Sequence, residues 1–269
     1  MSIVACVKVY DGIALGAESM TQLVAEVVPG QPQLVKSYSN ARKLFQIGDL
    51  PFGVVTYGAG NIGRRSIESF LYDFNDSLAA DAAHPPDQLS GQQIATKLLQ
   101  FIKQPYDAAF SEAPQPQKPV LGFYVAGYSP GSHIATEWEF LLPTDQQPHQ
   151  PRPDDQFGAS WRGIVLPFSR LHFGVDTRLM AMLAQQGVPA ETLQKIETAS
   201  KLLHSQVAFD GMPLQDAIGF CRFILDTTIA YSTYEVGSPT CGGPIHVAII
   251  TRGQHFKWIS QPEYSIRGG

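Results

Sequence analysis

SIVACVKVYDGIALGAES, residues 2–19, runs β-branched and small apolar residues up to Asp11-Gly12 and on again beyond it. An Asp-Gly pair between two such runs is the strongest short-range hairpin signal, because both positions of a tight turn need positive φ. The first strand therefore starts at the head of the chain, a place that frays unless something ties it down.

Further on, 33–39 (QLVKSYS) and 42–49 (RKLFQIGD) read as short strands, and 52–58 (FGVVTYG) as a buried one. Ile62, Ser66, Phe70 and Leu71 then recur at helical spacing, with Asn61 as the expected cap. Ser90 is placed to cap a second helix carrying Ile94, Leu98, Phe101 and Ile102 on one face. PVLGFYVAGYS and HIATEWEFLL are two strands joined by Ser129-Pro130-Gly131. Three helical stretches are expected between about Asp176 and Tyr234, and IHVAIITRG with HFKWIS closes the chain as a hairpin. Proline- and glutamine-rich stretches (HPPDQLSGQQ, SEAPQPQKP, PTDQQPHQPRPDDQ) read as solvent-facing loops. Strands and helices come in runs without regular βαβ alternation, which implies an α+β fold with mixed sheets covered by helices. The reading is one domain over 1–269, with loop or helical elaboration around 141–210.

The chain has 269 residues, 44% of them hydrophobic and 16% charged, with a formal net charge of -5. That charge leaves no global basic footprint for nucleic acid. The three cysteines, Cys6, Cys221 and Cys241, have no paired spacing, which argues against a disulfide framework and fits a reducing compartment. No apolar run is long enough to span a membrane, and the first residues lack the pattern of a secretory signal. A cytoplasmic protein is expected. No histidine or cysteine pair has metal-ligand spacing, so neither a metal nor a cofactor is expected.

Gly58, Gly60 and Gly63, in GVVTYGAGNIGRRSIESF (53–70), match G-x-G-x-x-G. A dinucleotide site also needs a second strand and an acidic residue about 20 residues on. Asp81 falls at that distance, but in an alanine- and proline-rich stretch, and the glycines follow hairpins instead of opening a βαβ unit. The turn from buried strand to helix explains Gly60 and Gly63 without a nucleotide. Gly58 is placed to offer its N–H to a developing oxyanion.

Ser2 follows Met1, and a small second residue permits removal of the initiator methionine. Ser2 would then carry a hydroxyl and a free α-amine, whose pKa near 7.7–8.0 suits it to accept the hydroxyl proton. Glu18 ends the second strand, Lys43 opens the run KLFQIG, and PTCGGPIHVAIITRGQ places a glycine turn before a strand. In this order the segments resemble the β subunits of the proteasome, which are N-terminal-nucleophile (Ntn) hydrolases. The resemblance is closest over 2–75 and returns over 213–260. It implies a four-layer αββα sandwich and amide hydrolysis through an acyl-enzyme, as in a threonine-protease-like peptidase. Ser2 stands where the family has its nucleophilic threonine, Glu18 and Lys43 match its acid and lysine, and Gly58 its oxyanion donor. Arg42, next to Lys43, is expected to point away. It further implies peptide or unfolded-protein substrates and a homo-oligomeric ring, with any ATPase partner left open.

The sequence departs from the family in the C-terminal loop, where Ser238 and Cys241 stand in place of an aspartate and a serine. Glu235 is close by in sequence. Ser160, in FGASWRG, is the candidate for the family's central-loop serine. A non-catalytic ring or scaffold subunit of the same fold is the alternative, and an ordinary Lys43–Glu18 ion pair is its minimal form.

Overall fold

Every residue of Ile3–Val9 (β1) and Gly12–Ala17 (β2) is buried, so this hairpin has no solvent face. The two sides of each strand meet different partners. Val4 and Cys6 of β1 and Ile13, Leu15 and Ala17 of β2 face one apolar cluster, while Ile3, Ala5, Val7, Val9 and Ala14 face another. The period-two alternation survives only as a choice between two apolar environments. The computed structural model describes residues 2–28 and 31–261. Met1, whose removal the sequence leads one to expect, and the Pro29-Gly30 pair lie outside the described residues.

After the first hairpin come β3 (Thr21–Val28), β4 (Gln31–Tyr38), β5 (Leu44–Gln46) and β6 (Phe52–Gly58). Two short strands, β7 (Asn61–Ile62) and β8 (Arg65–Ser66), lead into α1 (Ile67–Ala80) and α2 (Gly91–Ala109). Then follow β9 (Leu121–Gly127), β10 (Thr136–Leu142), β11 (Gly158–Gly163) and α3 (Leu166–Phe173). The chain ends through α4 (Leu179–Gln185), α5 (Ala190–Ser200), α6 (Leu214–Tyr234), β12 (His246–Thr251) and β13 (His255–Ser260). The strands form a five-stranded sheet, β11-β1-β2-β12-β13, a four-stranded sheet, β10-β9-β6-β5, and the two-stranded ladders β3-β4 and β7-β8. Every strand pairing among the described residues is antiparallel.

Three apolar clusters join these elements in series. Phe70, Phe74, Ile94 and Leu98 of α1 and α2 pack on Val54, Phe123 and Phe140 of the four-stranded sheet. The opposite face of that sheet, with Leu44, Val55 and Tyr124, packs on Leu15, Ala248 and Ile250 of the five-stranded sheet. The far face of the latter meets Ala217, Cys221, Ile224 and Leu225 of α6 and Phe168 of α3. Gly16 lets α6 approach closely: a Cβ there would stand 2.7 Å from both Cys221 Sγ and Leu225 Cδ1.

Several local expectations change. Ser66, not Asn61, caps α1: its side chain accepts from Ser69 N at 3.2 Å, because Asn61 is already paired in β7 and Gly63 turns at φ 58°. Ser90 caps α2 as expected, in a capping box with Gln93. The strand foreseen at 33–39 is β4, starting at Gln31, and its hairpin partner β3 was not foreseen. Pro32 lies inside this ladder, opposite Glu26, which a two-stranded edge tolerates. Helices α4, α5 and α6 match the three expected stretches, and α3 and β11 add to them.

The loop at 143–156 is not wholly solvent-facing. Arg152 reaches from it to stand 2.8 Å from Glu137 Oε2, whose side chain is fully buried. Glu137 Oε1 also accepts from Tyr124 Oη (2.6 Å) and Cys6 Sγ (3.2 Å), and Lys8 Nζ donates to the Asp154 carbonyl at 2.8 Å. A polar knot therefore ties β1 to β9, β10 and the loop. Glu137→Gln keeps the shape but leaves Arg152 without its counter-charge, and should lower unfolding free energy by about 3 kcal/mol in urea denaturation. Glu191→Gln, which breaks a solvent-exposed pair with Lys195, should leave the midpoint where it is. Equal midpoints for the two variants would show that the knot contributes nothing.

Candidate active site

Ser2 enters β1 with its backbone held from behind. Its carbonyl accepts from Ile164 N at 2.7 Å, and Gly163, at φ 92°, leaves no room for a Cβ against that carbonyl. The residue is 3% exposed. Lys43 lies just before β5, and its carbonyl accepts from Thr56 N at 2.9 Å, which fixes it to β6. Lys43 Nζ donates to Ser2 Oγ at 2.9 Å, and also to Glu18 Oε1 and the Met20 carbonyl.

Glu18 follows β2 and has no solvent exposure. Its second oxygen accepts from Met20 N at 2.7 Å and Gly242 N at 3.0 Å. The Gly242 donor comes from the loop before β12. The Ser19 hydroxyl lies between the Pro244 carbonyl of that loop (2.8 Å) and the Ser39 carbonyl after β4 (2.7 Å), with one hydrogen to share between them. Gly243, at φ 77°, sits against the Ser39 carbonyl, where a side chain would collide. The C-terminal loop thus reaches the site through backbone atoms. No side-chain motif signals this; the paired glycines of CGGP are its sequence mark.

Burial lowers the pKa of Lys43 below the ordinary lysine value, while Glu18 raises it. Burial, with Glu18 next, pushes the Cys241 thiol up to about 11, so it is protonated at neutral pH. Its Sγ faces the Thr228 carbonyl at 3.8 Å, and the Ser232 hydroxyl of α6 holds its loop by accepting from Thr240 N at 2.8 Å.

The structure brings Ser2, Glu18 and Lys43 into one hydrogen-bonded group. Gly58, at φ 93°, lines the same cleft of about 280 Å³ as Ser2 and Lys43, and a Cβ there would collide with the Val120 carbonyl. Ser238 is exposed, and Glu235 acts electrostatically on Arg178. Ser160 sits opposite Cys6 in the β1–β11 ladder, about 13 Å along the strand from Ser2, and its hydroxyl accepts from Arg152. Arg42 turns toward α1, where Nε stands 3.6 Å from Glu68 and Nη1 donates to Tyr72 Oη, yet it also lines the cleft. Thr21 and Thr56, which sequence reasoning missed, line it too.

A hydroxyl that accepts from a carboxylate-held ammonium can lose its proton at reduced cost, and an N–H at the cleft wall can receive an oxyanion. The surroundings do not suit a dinucleotide, since β6 pairs only with antiparallel neighbours and its glycines lead into the β7–β8 turn. Among the described residues no cluster of three or more His, Cys, Asp or Glu is placed to hold a metal, and no helix is long and apolar enough to cross a membrane.

Because Lys43 titrates below an unfolded lysine, the unfolded chain binds more protons between the two pKa values, and stability rises with pH across that window. Glu18→Gln removes the charge that raises Lys43, so its pKa should fall further. NMR titration of isotopically methylated lysines should show Lys43 deprotonating before the surface lysines, and earlier still in Glu18→Gln. A Lys43 that titrates with the surface lysines contradicts this.

No family model matches the sequence. No curated protein matches it either. In three dimensions the chain is similar to Anbu, an ancestral beta-subunit, from Yersinia bercovieri (TM-score 0.56, 12% identity, 96% of this chain and 87% of that one). It is similar to a (Gly-1) mutant of Anbu from Hyphomicrobium sp. strain MC1 (TM-score 0.59, 11% identity, 97% and 87%). It also resembles Anbu of Pseudomonas aeruginosa, seen as a helical assembly of the Anbu complex (TM-score 0.54, 13% identity, 97% and 88%). At these identities the likeness carries the fold, a proteasome-like α+β arrangement of antiparallel sheets and helices.

Proposed function

We propose that this chain is an Ntn amide hydrolase, a threonine-protease-like peptidase that uses Ser2 once Met1 is removed. The observation that carries the reading is the 2.9 Å hydrogen bond from Lys43 Nζ to Ser2 Oγ, with the same ammonium held by Glu18. The three apolar clusters in series support a four-layer αββα sandwich of the Ntn type.

In the proposed reaction Ser2 Oγ attacks the carbonyl carbon of the scissile amide while the freed α-amine takes the hydroxyl proton. Lys43 offsets the charge on the oxygen, and the Gly58 N–H receives the oxyanion. The tetrahedral adduct collapses as the proton passes to the leaving nitrogen, giving an ester on Ser2 and a free amine. Water, deprotonated by the α-amine, then cleaves that ester to a carboxylic acid and restores Ser2. Peptides and unfolded proteins are the proposed substrates. A homo-oligomer is in keeping with the helical assembly of the Pseudomonas aeruginosa protein; a ring is its proposed form, and the cytoplasm is the proposed site of action.

The second reading is a non-catalytic scaffold subunit of the same fold. It is favoured by the exposed Ser238, which brings no carboxylate to Ser2 where the family has an aspartate. Intact mass of the natively expressed protein, before and after an epoxyketone inhibitor, separates the two. Loss of Met1 with one adduct mapped to Ser2 supports the hydrolase, and Met1 retained without adduct supports the scaffold. Ser2→Ala should abolish peptide cleavage without changing fold or assembly. Lys43→Ala should lower acylation at least about 100-fold; a variant that loses only thermal stability would identify the pair as structural.

A further inference from the structure

The cleft beside Ser2 carries charge of one sign. Of the described residues lining it, Arg42 and Lys43 are the charged ones, and none is aspartate or glutamate. Lys43 is compensated at contact by Glu18. Arg42 is held more loosely: Nε is 3.6 Å from Glu68 Oε1, Nη1 donates to Tyr72 Oη at 3.0 Å, and both charged side chains are partly exposed. With Nη1 on a hydroxyl and Nε 3.6 Å from its carboxylate, the guanidinium does not make the two parallel N–H bonds to a carboxylate that it is built to form.

The charges of both cations also act inward. His246, buried at the head of β12, is held below the ordinary histidine value first by burial and then by Arg42 and Lys43. The Thr21 and Thr56 hydroxyls in the lining are neutral, and that of Thr56 is buried without a partner. An incoming ammonium would meet the loosely held Arg42 and no carboxylate in the lining, while a carboxylate would meet hydrogen-bond donors.

We infer that this cleft selects a substrate with a carboxylate-bearing side chain next to the scissile amide, and that Arg42 is the specificity-determining residue. The placement of the scissile bond rests on the proposed role of Ser2; the sign of the cleft does not. Glu68, in the first turn of α1, is the internal competitor for Arg42 and lies outside the lining.

Three fluorogenic peptides that differ only in the residue before the reporter (Glu, Leu or Lys) test this. The wild-type protein should favour Glu over Leu by about tenfold in kcat/KM, with Lys the poorest. Arg42→Gln should bring the Glu-to-Leu ratio to about one, Arg42→Lys should keep part of it, and Glu68→Gln should raise it by about twofold or more. The same peptide sequences, ending in carboxamides and titrated by calorimetry into Ser2→Ala protein, should show the same order of affinity, lost on adding Arg42→Gln. Binding discrimination without any cleavage by the wild type overturns the hydrolase reading and upholds this one. Equal affinity for Glu and Leu peptides, or a preference unchanged by Arg42→Gln, overturns this inference whether or not the protein cleaves them.

Discussion

Lys43 holds an ammonium whose side chain is only 8% exposed, a position that on its own would cost several kcal/mol in lost hydration. Glu18, with no exposure at all, is what makes that charge tolerable, and four parts of the chain meet on the pair. The end of β2 supplies the carboxylate, the turn after it supplies Met20, and the residue before β5 supplies the lysine. The loop before β12 closes the group through Gly242 N. Removing either charge would leave the other buried and unpaired, so these segments are fixed relative to one another by electrostatics as much as by packing. Ser2 lies at the centre of this arrangement, receiving a hydrogen bond from the same ammonium.

Backbone geometry does as much here as side-chain chemistry. Gly58, Gly163 and Gly243 all have positive φ, and at each a Cβ would strike a carbonyl: that of Val120, Ser2 or Ser39. These contacts bring β6, β11 and the C-terminal loop close enough for their N–H groups to serve as donors. Close approach at Gly16 lets α6 bury one face of the β1–β2 hairpin, while the four-stranded sheet buries the other. β1 is thereby covered on both sides, and Ser2 is buried with its carbonyl held by Ile164 N.

The parts of this structure legible in the sequence are those where local chemistry and burial agree. The hairpin at 3–17, Ser90 three residues before Gln93, and the closing hairpin are of that kind. The first turn, however, is Tyr10-Asp11: Gly12 already pairs with Val9 in the ladder, and neither Asp11 nor Gly12 has positive φ. β3 was missed because TQLVAEVV mixes polar and apolar residues without a clean period of two, and its ladder with β4 shifts register twice. β11 was missed for another reason. Ala159 and Trp161 face the α6 side, but Ser160 and Arg162 face Arg152 and Glu139 inside the fold, and polar residues at inward positions hide the alternation. Ser2, Glu18 and Lys43 could be named together because their order along the chain resembles a known family. The Gly242 and Met20 contributions could not, since a backbone donor or acceptor is marked at most by a permissive glycine, as in CGGP, and not by side-chain chemistry.

One carboxylate also sorts the potential nucleophiles. Glu18 is close enough to act on both Lys43 and Cys241, and acts on them in opposite senses of reactivity. It favours the charged form of the lysine, which then donates to the Ser2 oxygen. Its charge, added to burial, opposes formation of a thiolate at Cys241 and holds that thiol near 11. A buried thiol facing a main-chain carbonyl behaves as a small packing residue. At Cys241, burial and then Glu18 outweigh Lys43, which acts in the other direction, and the thiol stays protonated. In the proposed chemistry, then, the departure from the family at Cys241 is a change of packing, and the change that bears on Ser2 is the missing carboxylate at Ser238.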